Sequence, residues 1–282
     1  MANINQEKEE LKNYQGEDRI LHCEDVDKEL EEEKKLKPTF EIKTKIPRLD
    51  DIIGGGFREG NLVILSGQPR MGKSSAFITL TYNFQPEKIL WFSYEMTHRD
   101  LFEKFKESFN SLPEFFIPRQ IQSQNSDWLR QRIIEAVVKY QIKIVFIDHL
   151  HFIVASRSQN LQQEIAEKVR MLKNLAVQLK IVIFLIVHTT KTLVEGVPAL
   201  EDIRDSGMIS ADADYVLFIL RKRMKQTKQQ LQDNGIQFKG IEAGLQVAKN
   251  RRNGNCGYVN LIYDNNVFKE WGNNLKDDED IL

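Results

Sequence analysis

The sequence predicts an α/β fold: a mostly parallel central sheet flanked by helices, with a C-terminal β-hairpin. Three observations predict it. Runs of strand length that are apolar at nearly every position recur along the chain, the pattern of strands covered on both faces. Amphipathic helical stretches separate them, as crossovers between parallel strands require. Near the C-terminus the pattern changes to two runs around a Gly/Asn-rich turn, which reads as a hairpin.

The elements follow in chain order. Residues 1–36 carry 12 acidic and 6 basic side chains and few apolar ones, so they are expected to be an arm or linker helix that does not fold alone. The globular part is expected to start near Pro38. Strands are expected in "NLVILS" (61–66), "KILWFSYE" (88–95), "IKIVFIDHLHFIV" (142–154, with a strand ending at Asp148), "KIVIFLIVH" (180–188) and "DYVLFILRK" (214–222). Between them "WLRQRIIEAVVKY" (128–140) is amphipathic. Leu161, Ile165, Val169, Leu172, Ala176 and Leu179 recur at helical spacing, one buried stripe with charges opposite. "GLQVAKNRRNGNCGYVNLIYD" (244–264) is the hairpin. The expected domains are the arm (1–36), a catalytic domain (37–270) and an acidic tail (271–282).

The 282 residues carry a net charge of −1, but residues 37–275 alone hold 33 basic and 25 acidic side chains. A basic body between acidic ends is compatible with polyanion binding. No apolar run is long enough for a membrane span, and the first residues lack the apolar core of a secretory signal. Cys23 and Cys256 lie far apart without metal-ligand neighbours and are expected to be reduced thiols.

The chemistry centres on "LVILSGQPRMGKSSAF" (62–77). Gly67, four residues, then Gly72, Lys73 and Ser74 have the spacing of a phosphate-binding loop. The expected nucleotide contacts are Gly67, Gln68, Pro69, Arg70, Met71, Gly72, Lys73, Ser74 and Ser75. Backbone N–H groups and a helix N-terminus cradle phosphates there. Lys73 would neutralise the β/γ-phosphates, and Ser74 would ligate Mg²⁺, with ATP as substrate. Asp148, at a strand's carboxyl end, would hold a Mg²⁺-bound water. No Glu follows it, so Glu95 is the candidate water-activating carboxylate. His188, also at a strand end, would sense the γ-phosphate. His149 and His151 form a His-x-His pair expected to face one way on a strand; with no third ligand apparent, a structural role is expected. Lys249, Arg251 and Arg252 crowd into "KNRRNG", and either a neighbour's ATP or a nucleic acid backbone is the anion expected to meet them.

Together, "IPRLDDIIGGGFREGNLVILSGQPRMGKSS", "FSYEM", "IVFIDHLHFI", "QQEIAEKVRMLKNLAVQLKIVIFLIVHTTK", "DIRDSGMISADADYVLFILR" and "AKNRRNGNCG" resemble the motor domain of hexameric replicative DNA helicases of the DnaB and Twinkle types, over roughly Phe40 to Asp264. The resemblance implies a RecA-like P-loop NTPase fold and a homo-oligomeric, hexameric ring with ATP sites between subunits. It implies that Glu95 orients the attacking water and that Lys249 and Arg251 reach the neighbour's ATP. "KNRRNG" is one residue longer than the usual DnaB form, which leaves the finger between Arg251 and Arg252. "RDSG" matches the loop that holds single-stranded DNA by its backbone, through Arg204, Asp205 and Gly207. His188 stands where DnaB proteins usually have Gln and Twinkle-type proteins His. Such helicases carry an N-terminal collar that recruits primase. Only the acidic arm precedes the motor here, so the arm is expected to dock on an adjacent motor instead, with a loader or primase as a further partner. The expected location is the cytoplasm and nucleoid, or the mitochondrial matrix for a Twinkle-like chain. A RecA- or KaiC-like ATPase without unwinding, and a non-enzymatic ring-modulating relative, are the other readings.

Overall fold

The computed structural model describes residues 4–16, 19–36, 39–109, 111–154, 161–189, 199–203, 206–221 and 241–271. Two units separate, Met1–Thr39 and Phe40–Leu282, so the structural division falls three residues beyond the expected end of the arm. The first unit contains α1 (Ile4–Leu11) and α2 (Cys23–Leu36). The acidic run does form a helix, helped by Glu24 and Asp25 in the first turn of α2, where the helix dipole favours negative charge. Val26 and Leu30 on it are exposed.

The second unit opens with β1 (Glu41–Ile42), α3 (Pro47–Ile53) and β2 (Phe57–Arg58), short elements that periodicity does not reveal. It continues through β3 (Leu62–Gly67), α4 (Lys73–Asn83), β4 (Ile89–Ser93), α5 (His98–Ser108), α6 (Ser126–Tyr140), β5 (Ile144–Asp148), α7 (Leu161–Gln178), β6 (Val182–His188), α8 (Ser206–Asp212), β7 (Tyr215–Arg221), β8 (Ile241–Asn250), β9 (Gly257–Asp264) and β10 (Val267–Glu270).

Eight strands make one sheet in the order β10-β9-β8-β7-β3-β6-β5-β4. From β7 to β4 the pairing is parallel, and β8, β9 and β10 extend it antiparallel. The C-terminal hairpin is thus an extension of the main sheet, completed by a third strand that the sequence pattern does not reveal.

Every residue of β3, β4 and β5 is buried, because helices cover both faces. On one face Val63, Leu65, Phe146 and Phe184 pack with Leu49 of α3, Phe77 of α4 and Phe105 of α5. On the other, Ile64, Val145 and Ile147 meet Leu129 and Ile133 of α6 and Ile165, Val169, Leu172 and Ala176 of α7. The α7 stripe is therefore the expected one, with Leu179 packed at its margin; the side chain of Leu161 is not among the described ones. Phe184 sits at the centre of the first layer, its ring 4.9 Å from Phe146, 5.1 Å from Phe57 and 5.6 Å from Phe84. Cys23 and Cys256 are free and exposed. Among the described residues no helix is long and apolar enough to cross a membrane.

Candidate active site

The parallel strands end together at one edge. In the register, Gly67 of β3 pairs with His188 of β6, and Ser93 of β4 pairs with Asp148 of β5. Four candidate segments therefore converge at the carboxyl edge, where open α/β sheets bind ligands. The chain leaves β3 through Gly67 (φ 153°), passes Arg70 in the left-handed region (φ 67°), and enters α4 through Gly72 (φ 94°). A side chain at Gly67 would meet the Ile219 carbonyl at 2.7 Å, and one at Gly72 would meet the Phe268 ring at 2.9 Å. Both glycines are thus required by backbone conformation and by close packing against β7 and β10.

Lys73 begins α4 and is 7% exposed. Its Nζ donates to the carbonyls of Gly67 (2.9 Å) and Gln68 (3.0 Å), so the loop curls over its own ammonium. The next residue, Ser74, donates through Oγ to Asp148 Oδ2 at 2.6 Å. Asp148 Oδ1 is buried with no hydrogen-bond partner. Burial pushes the Asp148 carboxyl up to about 6; the Ser74 hydroxyl opposes this, Glu95 adds to it and Lys73 opposes it. Burial also lowers Lys73, against the pull of Asp148 and Glu95. Burial thus drives both groups toward their neutral forms. An orphaned carboxylate oxygen beside a hydroxyl suits Mg²⁺, a hard cation that takes oxygen ligands. The residues present fit that ion.

Glu95 lies just past the end of β4, not within it as expected, and is exposed. It faces the cluster: one ligand atom each of Glu95, His149 and His188 lie within 4.8 Å of one another. The His149 and His188 rings are 4.2 Å apart. The His-x-His expectation needs correcting on two points. β5 ends at Asp148, and residues 150–152 form a 3₁₀ turn, so the two histidines do not alternate along a strand. The ligand atoms that do gather are those of Glu95 and His188 with His149, and not His151. Burial, then the charges of His188, His151 and Lys73, lower His149 to about 3.

The basic residues of the hairpin lie elsewhere. β8 runs antiparallel to β7 and pairs Asn250 with Tyr215, which puts the 251–256 turn at the amino edge of the parallel strands. Arg251 NH1 lies 3.5 Å from Asp214 Oδ1 and its NH2 donates to the Ala211 carbonyl. Lys249 donates to the Ser210 carbonyl and, at 2.8 Å, to that of Ala213. Arg252 reaches Glu41 at 3.5 Å and the Gly56 carbonyl at 3.3 Å. Within the chain, the groups that meet this cationic turn are carbonyls, Asp214 and Glu41.

Of the DNA-loop candidates, Arg204 and Asp205 lie outside the described residues. Gly207 is exposed in α8, with nothing within 4 Å of where a methyl group would stand. Thr189, directly after His188, bridges to Ile203, so the backbone links the strand-end histidine to the start of that loop.

Sequence reasoning misses two site-organising residues. Asp214, 6% exposed, accepts from the Leu62 N–H (2.7 Å) and Lys173 Nζ (2.6 Å) as well as facing Arg251. Arg221 donates to the Arg70 carbonyl at 2.8 Å and lies 4.6 Å over the Tyr263 ring. Both bracket the run "DYVLFILRK", and a charge at each end of a buried strand is the available signal. Arg70 itself points to solvent; its main chain, held by Arg221, is what the loop uses.

Comparison with known proteins bears on this arrangement. The profile of the DnaB-like helicase C-terminal domain family matches residues 41–128 and 104–270. A replicative DNA helicase DnaB of Rickettsia prowazekii (strain Madrid E) is 27% identical over 285 residues, covering 82% of this chain and 58% of the relative. The chain thus spans little more than half the length of that curated relative. Among solved structures, an ATPase domain superposes with a TM-score of 0.68 at 18% identity, covering 90% of this chain and all of that one. A DnaB-like replicative helicase, studied with its interactions with primase, superposes at 0.67 and 19% identity, covering 95% and 71%. These likenesses show the RecA-like α/β fold.

Proposed function

We propose a function from one premise: the chain belongs to the DnaB-like helicase C-terminal domain family. It is the ATP-driven motor of a replicative DNA helicase, which moves along single-stranded DNA and unwinds duplex. The observation that carries the catalytic half of this reading is the Ser74–Asp148 contact at 2.6 Å beside buried Lys73, with the second Asp148 oxygen unpartnered. A RecA- or KaiC-like ATPase without unwinding is not favoured by the family match.

Gly67 to Ser75 wrap the phosphates, and Lys73 exchanges its two carbonyl partners for β/γ-phosphate oxygens. Ser74 Oγ and the Asp148 carboxylate would hold Mg²⁺, which would supply positive charge to those oxygens. Glu95 orients the attacking water and receives its proton; its exposed, rotatable carboxylate can reach the γ-phosphate side. His188 hydrogen-bonds the γ-phosphate, and the Thr189–Ile203 bridge offers a path from it to Arg204, Asp205 and Gly207 on the DNA.

The catalytic site is incomplete in one chain. Arg251 and Lys249 lie at the sheet's other edge, roughly 17 Å away along β3 at 3.3 Å per residue. They can serve only a neighbour's ATP, which supports a ring, read as a hexamer. Residues 1–36 would dock on an adjacent motor, 37–270 form the motor, and 271–282 make a tail. Primase and a loader are the proposed protein partners, the first because one solved relative was studied with primase. The proposed location is that of the DNA: cytoplasm and nucleoid, or mitochondrial matrix. Strand displacement on forked DNA with ATP and Mg²⁺, paired with mass measurement of the assembled particle, tests the proposal. Displacement by a multi-subunit particle is expected. A particle that stays monomeric with ATP, Mg²⁺ and DNA, or hydrolyses without displacement, overturns it.

A further inference from the structure

Two kinds of cation-binding donors sit side by side at the carboxyl edge. Ser74 and Asp148 offer only oxygen. Glu95, His149 and His188 offer a carboxylate and two imidazoles, with one ligand atom of each inside a 4.8 Å span. They come from three adjacent strand ends, β4, β5 and β6, so the sheet itself sets their spacing. We propose that Glu95, His149 and His188 form a second metal site, selective for a borderline-soft divalent ion such as Zn²⁺, whose occupation shuts down ATP hydrolysis.

The donor set decides the ion. Mg²⁺ takes oxygen ligands in an octahedron and dehydrates reluctantly, whereas two imidazoles with a carboxylate suit Zn²⁺ or Co²⁺. Three protein ligands leave a fourth position to water. Zn²⁺ holds nitrogen and oxygen about 2.0–2.1 Å away, which places tetrahedral ligand atoms about 3.3 Å apart. The observed 4.8 Å limit therefore has to close by about 1.5 Å. Glu95 is exposed and His149 buried, so the rotatable carboxylate supplies most of that movement. At His149 Nδ1 the contact is a 3.3 Å bond from the His151 N–H, near the far end of hydrogen-bond range.

The consequence for turnover rests on Glu95 being the water-orienting carboxylate. A Glu95 engaged with Zn²⁺ cannot accept a proton from water, and His188 is withdrawn from the γ-phosphate. The loss is reversible, because a chelator removes the ion.

Co²⁺ is the probe, because tetrahedral or five-coordinate Co²⁺ absorbs visibly and needs no turnover to be read. Nucleotide-free protein titrated with Co²⁺ should give a saturable band at one ion per chain, displaced by Zn²⁺. His149→Ala should weaken Co²⁺ binding at least tenfold and leave hydrolysis insensitive to Zn²⁺. His188→Gln, which keeps a hydrogen-bonding side chain, should lose the band as well, and provides the test if His149→Ala does not fold. With Mg²⁺ and ATP, added Zn²⁺ should lower wild-type turnover and a chelator restore it. Absence of a saturable Co²⁺ band in wild type, or a band unchanged in both variants, overturns the site. Failure of ATP hydrolysis in Mg²⁺ buffer free of other metals would instead overturn the motor reading.

Discussion

Lys73 and Arg251 stand at opposite ends of one sheet. Lys73 follows the carboxyl end of β3, while Arg251 follows Asn250, which pairs with Tyr215 at the amino end of β7. Arg251 is also tied locally, its N–H donating to the Asp214 carbonyl at 2.8 Å and its guanidinium facing the Asp214 carboxylate. To serve as a finger, its guanidinium must leave the buried Asp214 carboxylate and the Ala211 carbonyl. Arg251→Ala is expected to cut hydrolysis on the order of 10³-fold or more, with nucleotide binding retained. Mixed with Lys73→Ala subunits it should regain partial activity, because the two defects fall in different halves of a shared site. No regain in mixed particles would mean that the sites are not shared.

Lys73→Ala should abolish hydrolysis, and Glu95→Gln should keep ATP binding but stop turnover. Single-turnover hydrolysis alongside equilibrium binding separates the two. A Glu95→Gln chain that still turns over would move the base to another residue.

The Asp148 carboxyl gives a pH signature. Burial raises it from an ordinary value near 3.8 to about 6, so between those pH values the folded chain keeps a proton that the unfolded chain releases. Stability should therefore fall as pH rises from about 4 to about 6 in Mg²⁺-free, nucleotide-free buffer, and remain lower above that. The contribution is on the order of 3 kcal/mol. Asp148→Asn should flatten this slope in urea denaturation and stabilise the chain at neutral pH, while losing Mg²⁺-dependent nucleotide binding. An unchanged slope would show that the buried carboxyl is not the cause.

Asp214→Ala strands a backbone N–H and two cations, Leu62, Lys173 and Arg251. Removing one member of a buried charged cluster typically costs 3–5 kcal/mol. Chemical denaturation should show a loss in that range. A neutral effect would mean that Asp214 is not the organising group.

Phe184→Ala removes the ring that meets Phe57, Phe84 and Phe146 in the first core layer. A loss of about 3–5 kcal/mol is expected, large enough for the melting temperature to report it. A small loss would mean that the aromatic layer collapses into the gap.

Much of this is legible along the chain because it is local. A run apolar at every position, of strand length and bounded by turns, reads as a strand buried on both faces, so β3, β4, β5, β6 and β7 can be read from "NLVILS" to "DYVLFILRK". The phosphate loop is legible because Gly67 and Gly72 need backbone conformations that favour glycine, and Lys73 and Ser74 need fixed spacing from them. The short β1, α3 and β2 are not, because two to seven residues carry too few turns of any period to show one. Asp214 and Arg221 are in plain view at the ends of a strand, but their partners are 41 and 151 residues away in sequence.

The sequence by itself determined the parallel strands β3 to β7, the amphipathic helices α6 and α7, the loop chemistry and the sheet edge on which Lys73, Asp148 and His188 meet, since strand ends in a parallel sheet are collinear. Only the tertiary structure decided two things. It set His149 beside Glu95 and His188 rather than with its sequence neighbour His151, because the chain turns into a 3₁₀ segment after Asp148 and the neighbouring strands supply the partners. And it carried Lys249 and Arg251 away from the loop, because β8 joins β7 antiparallel and its end must fall at the far edge. The direction in which β8 joins β7 is a long-range property, set by which edges bury each other, and the local pattern of neither strand encodes it.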